Sequence, residues 1–290
     1  MSQWKGIMKC YPLEMRRLRK WFEPKVFVQP KLDGIRCRAV HLSGEWVLVT
    51  SGENLITSVP HVGRALNVVL STISNPEELT NEEGHLELDG ELYVHGLPLE
   101  QINGICSRKK PDSESERIEF HIFDIPIEGA QFSYRNFKVR ELRTVPGIEI
   151  VRTITADANE ETMTSLLHEM TDYGYEGIVI RNPRGIYERK RSTNVLKFKP
   201  GRRDHYVVVD TIEEVSIDGR PKGALGSLVC KSGDGKLFNV GTGFTREQRE
   251  ELWGRRRELV GQSATVRYQQ LTAANSVPRH SVFVGMGEEQ

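Results

Sequence analysis

Short apolar or alternating runs, each closed by Gly, Pro or charged residues, recur along the chain as far as Pro200. They predict strands over Val26–Gln29, Ile35–His41, Trp46–Thr50, Leu86–Tyr93, Ile118–Ile125, Gly177–Arg181 and Val195–Lys199. Two stretches follow a helical period instead. One opens near Ser58–Pro60, with Val62, Leu66, Val69 and Leu70 on one face. The other runs from about Asn159 to Tyr173, with Met163, Leu166, Leu167 and Met170 on one stripe and Gly174 as its stop. Ser107–Arg117, made of charge, Ser and Pro, reads as an exposed loop.

Pro200-Gly201-Arg202-Arg203-Asp204 combines breakers with charge and reads as a hinge, which divides the chain into domains 1–202 and 203–290. Beyond it, strands are expected over Tyr206–Val215, Ser227–Lys231, Leu237–Gly241, Ala264–Tyr268 and Ser281–Val284, with one helix opened by the capping box Thr245-x-x-Gln248. Strands with a single helix in so short a span fit a small barrel of the OB type, although periodicity alone also allows a β-sandwich.

Lys plus Arg and Asp plus Glu are both 40, so the net charge is zero and any polyanion must be held by local patches. Candidate patches are Arg16-Arg17-x-Arg19-Lys20, Arg202-Arg203 and Arg255-Arg256-Arg257, the last expected on a helix. Cys10, Cys37, Cys106 and Cys230 have neither a C-x-x-C spacing nor a zinc pattern and read as free thiols. No signal peptide or membrane-length apolar run is present, so a monomeric protein of the cytoplasm is expected. The P-loop, the G-x-G-x-x-G turn, H-E-x-x-H and G-x-S-x-G are all missing, which excludes the commonest nucleotide, zinc-protease and serine-hydrolase sites.

Lys31-Leu32-Asp33-Gly34-Ile35-Arg36 places a Lys just after an apolar strand and before a Gly turn, a fitting position for an amine nucleophile, which attacks only when neutral. Four further blocks accompany it: Glu87-Leu88-Asp89-Gly90-Glu91-Leu92, Phe120-His121-Ile122-Phe123-Asp124, Glu176-Gly177-Ile178-Val179-Ile180-Arg181 and Leu196-Lys197-Phe198-Lys199-Pro200. Taken singly, each block reads equally well as a solvated strand end or an outer face.

In this order, the five blocks resemble the covalent nucleotidyltransferase superfamily of DNA ligases, RNA ligases and mRNA capping enzymes, over Gln29 to Phe283. Gly185–Pro200 and Val240–Trp253 are similar to small phage-type and bacterial ATP-dependent DNA ligases. That resemblance implies an α+β chain: a nucleotidyltransferase (ATP-grasp-like) domain of antiparallel sheets with helices, then a C-terminal OB-fold β-barrel. It implies ATP and Mg²⁺ (or Mn²⁺) as cofactors, nicked duplex DNA as partner, and work in replication, repair or recombination.

Residue roles follow from the same resemblance. Lys31 takes AMP, Gln29 reads the adenine amino group, and Phe123 stacks on the base. Arg36 contacts the sugar or the nick phosphate, Glu91 and Glu176 hold the metal, and Lys197 and Lys199 neutralise the α-phosphate. Arg279, in Pro278-Arg279-His280-Ser281-Val282-Phe283, orients pyrophosphate. Ser51-Gly52-Glu53-Asn54 departs from the family's Ser-Arg-x-Gly, and Val284-Gly285-Met286-Gly287 lacks its second basic residue. Only 30 residues precede Lys31, and there is no zinc site, which favours ATP over NAD⁺. The alternatives are an RNA ligase or a capping guanylyltransferase with the same lysine chemistry. Of another class is a non-catalytic OB-type nucleic-acid binder with a decayed first domain, against which the retained Lys31, Glu91, Glu176, Lys197 and Lys199 argue.

Overall fold

Alternation of apolar and polar positions along each strand decides the first half of the chain. The computed structural model describes residues 6–21, 23–268, 270–271, 277–279 and 281–287, with the side chains of Gln270 and Arg279 excepted. The chain divides into two compact units, Met1–Lys199 and Pro200–Gln290.

In chain order the first unit contains β1 (Lys9–Pro12), α1 (Met15–Arg19), β2 (Lys25–Lys31), β3 (Ile35–Leu42), β4 (Glu45–Thr50) and α2 (Pro60–Leu70). It continues with β5 (Glu87–Tyr93), α3 (Leu99–Cys106), β6 (Glu119–Asp124), α4 (Phe132–Glu141) and β7 (Ile148–Ile150). β8 (Ile154–Asp157), α5 (Glu160–Asp172), β9 (Gly177–Arg181) and β10 (Arg191–Phe198) complete it. Two five-stranded sheets result, with orders β1-β10-β9-β2-β8 and β4-β3-β5-β6-β7. Their pairings are antiparallel except β1 with β10 and β6 with β7.

Each sheet buries one face under helices. On the first, Val26, Val28, Ile178, Ile180 and Leu196 meet Met163, Leu167 and Met170 of α5. On the second, Cys37, Ala39, Leu88 and Leu92 meet Val62, Leu66 and Val69 of α2 and Ile102 and Ile105 of α3. Each such aliphatic side chain removed from water contributes about 1.5–3 kcal/mol. Because side chains alternate, the same strands turn Gln29, Lys31 and Lys197, and Arg36, Asp89 and Glu91, the other way. The polar faces meet: Gln29 on β2 donates to the Phe123 carbonyl on β6 (3.1 Å), and Arg181 on β9 to Asp124 (2.8 Å).

All the predicted strands of this unit are present, with small shifts at their ends. α1, α3, α4, β1, β7 and β8 have no counterpart in the sequence pattern. α4 explains why: its buried side chains include Arg135 and Asn136, so no apolar stripe marks it.

The second unit contains β11 (Arg202–Val215), β12 (Pro221–Lys231), β13 (Leu237–Val240), α6 (Arg246–Gly254), α7 (Arg256–Leu259), β14 (Ser263–Tyr268), β15 (Gln270–Leu271), β16 (Pro278–Arg279) and β17 (Val282–Met286). Its main sheet has the order β13-β12-β11-β14-β17. A bridge between Thr242, just past β13, and Val282 on β17 ties one edge towards the other, the curling that an OB barrel requires. The capping box at Thr245 and Gln248 forms.

Two expectations change here. Pro200-Gly201 alone remains irregular, because β11 begins at Arg202, which pairs with Tyr268 of β14. Arg255-Arg256-Arg257 does not lie on one continuous helix: Arg255 is the cap between α6 and α7.

Candidate active site

The polar space between the two sheets of the first unit collects most of the residues singled out from the sequence. Lys31 ends β2 and pairs with Gly177 at the start of β9, while the Glu176 amide donates to the Lys31 carbonyl (3.0 Å). Gly177 has φ 151°, and a Cβ there would lie 2.3 Å from the Phe198 carbonyl and 3.1 Å from Lys199 Cα. Only Gly lets β10 approach so closely, and that approach brings Lys199 to the same side as Lys31. The Lys31 ammonium is 2.5 Å from Glu176 Oε2, and the Lys199 ammonium donates to Oε1 of the same carboxylate. Glu176 Oε2 is buried yet has no aligned hydrogen-bond donor, so the Lys31 contact is an ion pair rather than a directed hydrogen bond. One row further along, Val179 pairs with Gln29 on one side and Lys197 on the other.

The second sheet supplies the opposite wall. Gly34, in the turn after Lys31, packs its backbone against β5: a Cβ there would be 2.3 Å from the Leu92 carbonyl and 2.9 Å from Glu91 Cγ. This places Glu91 beneath the loop that follows Lys31. Burial raises the Glu91 carboxyl to about 7, against the pull of Arg36 and Lys31. Among the described residues no hydrogen bond reaches that carboxyl. It is a half-buried acid that faces the charges of Arg36 and Lys31, and a cation would suit it. Among the described residues, no three His, Cys, Asp or Glu side chains form a ready cation site.

Arg36 grips Asp89 with two hydrogen bonds (2.7 and 2.6 Å), and Tyr187 donates to the same carboxylate (2.6 Å). Phe123 is buried, with the guanidinium of Arg36 4.5 Å and that of Arg181 5.2 Å from its ring centre. Gln29 is buried as well, held by Arg181, Thr153 and the Phe123 carbonyl. Arg279 lies on β16, but its side chain is not among those described. Gly52 and Glu53 stand in an exposed turn capped by the Thr50 hydroxyl, and Glu53 is 3.7 Å from Arg38. The turn itself therefore supplies no cation in place of the family's Arg.

Sequence reading gave no role to Asp89, Asp124, Arg181 and Tyr187, although they stand in the quoted blocks, and missed Arg135; these residues tie the groups together. Asp124 receives Arg135 (2.8 Å) and Arg181 (2.8 Å) while fully buried. A buried carboxylate of this kind survives only when paired. The one available signal was an Asp or Arg placed inside an apolar strand.

A family model described as "ATP dependent DNA ligase domain" matches residues 14–199, and one described as "DNA ligase OB-like domain" matches 218–286. A DNA ligase of Haemophilus influenzae is 28% identical over 256 residues, 87% of this chain and 83% of the relative. A DNA ligase of African swine fever virus is 27% identical over 289 residues, 92% of this chain and 64% of the viral protein. Among solved structures, a Lig E DNA ligase superposes with a TM-score of 0.71 at 22% identity, covering 97% of this chain and 99% of that one. The ATP-dependent DNA ligase of bacteriophage T7 gives a TM-score of 0.56 at 14% identity, covering 98% and 99%. These structural likenesses show the nucleotidyltransferase and OB folds. With the first family model spanning more than half of its length, the chain belongs to the ATP-dependent DNA ligase family.

Proposed function

We propose that the protein seals nicks between a 5′-phosphate and a 3′-hydroxyl in duplex DNA, with Lys31 carrying AMP between ATP and the nick. The observation that supports this most is the cluster of Lys31, Glu176 and Lys199, with Lys197 on the neighbouring row and Glu91 on the facing sheet. It offers one nucleophilic amine, further ammonium groups for phosphate oxygens, and two carboxylates.

The reaction proceeds through three displacements at phosphorus. The Lys31 amine attacks the α-phosphate of ATP, forming a P–N bond as the bond to pyrophosphate breaks. The 5′-phosphate of the nick then displaces Lys31 and takes the AMP. Last, the 3′-hydroxyl attacks that phosphate and AMP leaves. Negative charge on the non-bridging oxygens grows in each step, and Lys197 and Lys199 stand beside it.

For the first attack Lys31 must give up a proton and leave its ion pair with Glu176. Lys199, bound to the other oxygen of Glu176, keeps that carboxylate from being stranded. Glu91 and Glu176 would hold Mg²⁺ or Mn²⁺, whose chemistry there is charge neutralisation at the transferred phosphate. The half-buried Glu91 carboxyl and the unaligned Glu176 Oε2 both suit that ligand. Arg279 would act on pyrophosphate.

DNA would be held as a monomeric complex through phosphates, by α1 with Arg16, Arg17 and Arg19, and by Arg202 and Arg203 on β11. Arg16 and Arg17 would exchange their pairing with Glu14 for phosphate, whereas Arg256 stacks on Trp253 (4.6 Å) and donates to the Trp253 carbonyl. No helix among the described residues is long and apolar enough to cross a membrane. Intact mass after incubation with ATP and Mg²⁺ should show one added AMP, chased off by nicked DNA. Sealing of nicked DNA should exceed that of nicked RNA and fall steeply as salt is raised, since binding by phosphate contacts releases counterions. No adduct, or an adduct that only RNA strands discharge, would overturn the assignment.

A further inference from the structure

A glutamine is an ambiguous reader of a purine. Its amide can present oxygen to the 6-amino group of adenine or nitrogen to the 6-oxo group of guanine, simply by flipping. Gln29 in this protein cannot flip freely. Its Oε1 receives the Arg181 Nε–H at 2.7 Å, and its Nε2 donates to the Phe123 carbonyl at 3.1 Å and to Thr153 Oγ1 at 2.9 Å. The chemistry fixes which atom is which. Arg181 can only donate, so it must face oxygen, and the Phe123 carbonyl can only accept, so it must face nitrogen. Both amide hydrogens are therefore occupied, and the one capacity left on Gln29 is the second lone pair of Oε1.

The lock is itself anchored. Arg181 NH1 donates to Asp124 Oδ2 (2.8 Å), and Asp124 is held by Arg135, which is 1% exposed and also donates to the Ala130 and Gly185 carbonyls. A flip of Gln29 would bring its NH₂ against a guanidinium donor and its oxygen against a carbonyl. That leaves buried polar groups unsatisfied, which holds the amide in the observed orientation.

We infer that Arg181, seconded by Thr153, is a positioning residue that sets the purine specificity of the adenylation step. It makes Gln29 an acceptor only, so that a 6-amino purine nucleotide is taken and a 6-oxo purine nucleotide is refused. This rests on the reading that Gln29 faces the base, and the experiment separates the two.

The enzyme and its variants are incubated with equal concentrations of ATP and GTP and with Mg²⁺, and AMP and GMP adducts are counted by intact mass. The unaltered protein should carry AMP alone. Arg181→Met should raise the GMP share about tenfold or more. Arg181→Lys, which keeps a donor-only side chain beside Gln29 Oε1, should keep the preference for AMP that Arg181→Met loses. Thr153→Val frees one amide hydrogen from a connecting segment and should shift the ratio the same way, less far; it carries the test if Arg181→Met does not fold. A ratio lost in Gln29→Ala but unchanged in Arg181→Met and Thr153→Val would overturn the lock alone. A ratio unchanged even in Gln29→Ala would show that Gln29 does not read the base, and would overturn both.

Discussion

Glu176 and Glu87 in the first unit are each held by a pair of cations, and they differ in almost everything else. Glu176 lies between Lys31 and Lys199, with side chains 10%, 22% and 17% exposed. Glu87 lies between Arg38 and Arg189, with side chains 0%, 4% and 9% exposed. Lysines are point charges on flexible stems, whereas arginines grip a carboxylate with a planar fork and do not lose their proton. Arg189 uses that fork on both Glu87 oxygens (3.0 and 2.7 Å) and reaches Glu82 as well, while Asn81 donates to Glu87 Oε2 (2.8 Å) and Arg38 to Oε1 (2.9 Å). The first cluster can exchange partners, as three successive phosphoryl transfers demand. The second is closed on itself and ties the segment before β10 to β3 and β5. On the proposed function, the same charge pattern serves chemistry where it is half-open and lysine-based, and architecture where it is buried and arginine-based.

The largest effect should come from the open cluster. Lys31→Ala should abolish the AMP adduct with no loss of fold, read by intact mass and circular dichroism. Lys31→Arg should fail equally, because its guanidinium stays protonated. An adduct on either variant would place the nucleophile elsewhere.

Exchanging the treatment of the two glutamates sharpens the contrast. Glu87→Ala leaves two buried guanidiniums without their anion and should cost about 3–5 kcal/mol in a urea titration. Glu176→Ala removes a carboxylate whose lysines can turn towards water, so its stability cost should be about 1 kcal/mol or less. Its sealing rate at low Mg²⁺ should nevertheless fall about tenfold or more. Equal stability losses would dissolve the distinction.

A smaller effect separates the steps. Arg279→Ala should slow formation of the AMP adduct while sealing of a pre-adenylated nick stays close to normal, since pyrophosphate leaves only in the first step. Comparable losses on both substrates would rule out that division.

The smallest effect is one of pH. Burial would raise the Glu87 carboxyl, but Arg189 and Arg38 outweigh it and hold it below its ordinary 4.5. A depressed carboxylate contributes its stability above the unfolded value and loses it as pH falls through the folded one. The stability gap between the native protein and Glu87→Gln should therefore be constant above pH 4.5 and close as the solution is acidified further. A gap that widened in acid would mean Glu87 is not the charged partner of these arginines.

Alternating strands were legible from the chain alone, and so was the list of chemical groups. Val26, Val28 and Ile178, Ile180 announce a buried face, so Gln29 and Lys31 had to point the other way. The Thr245–Gln248 capping box was equally legible, because capping is settled within one turn of helix. α4 was not, because its buried positions hold Arg135 and Asn136, and Arg135 finds its partners outside the helix, in Asp124 on β6 and the Gly185 carbonyl. The inner start of β11 was hidden for a related reason: Arg202 and Arg203 look like linker until β14 supplies their hydrogen bonds.

What the sequence determined by itself is which groups the site has, since local periodicity assigns each side chain to a face and the ordered blocks assign the chemistry. What only the tertiary structure decided is their state: Glu176 shared by two lysines, Glu91 half-buried with its carboxyl raised, Gln29 held as an acceptor by Arg181. Charge state and hydrogen-bond direction depend on distances and burial between residues remote in sequence, and no local pattern encodes those.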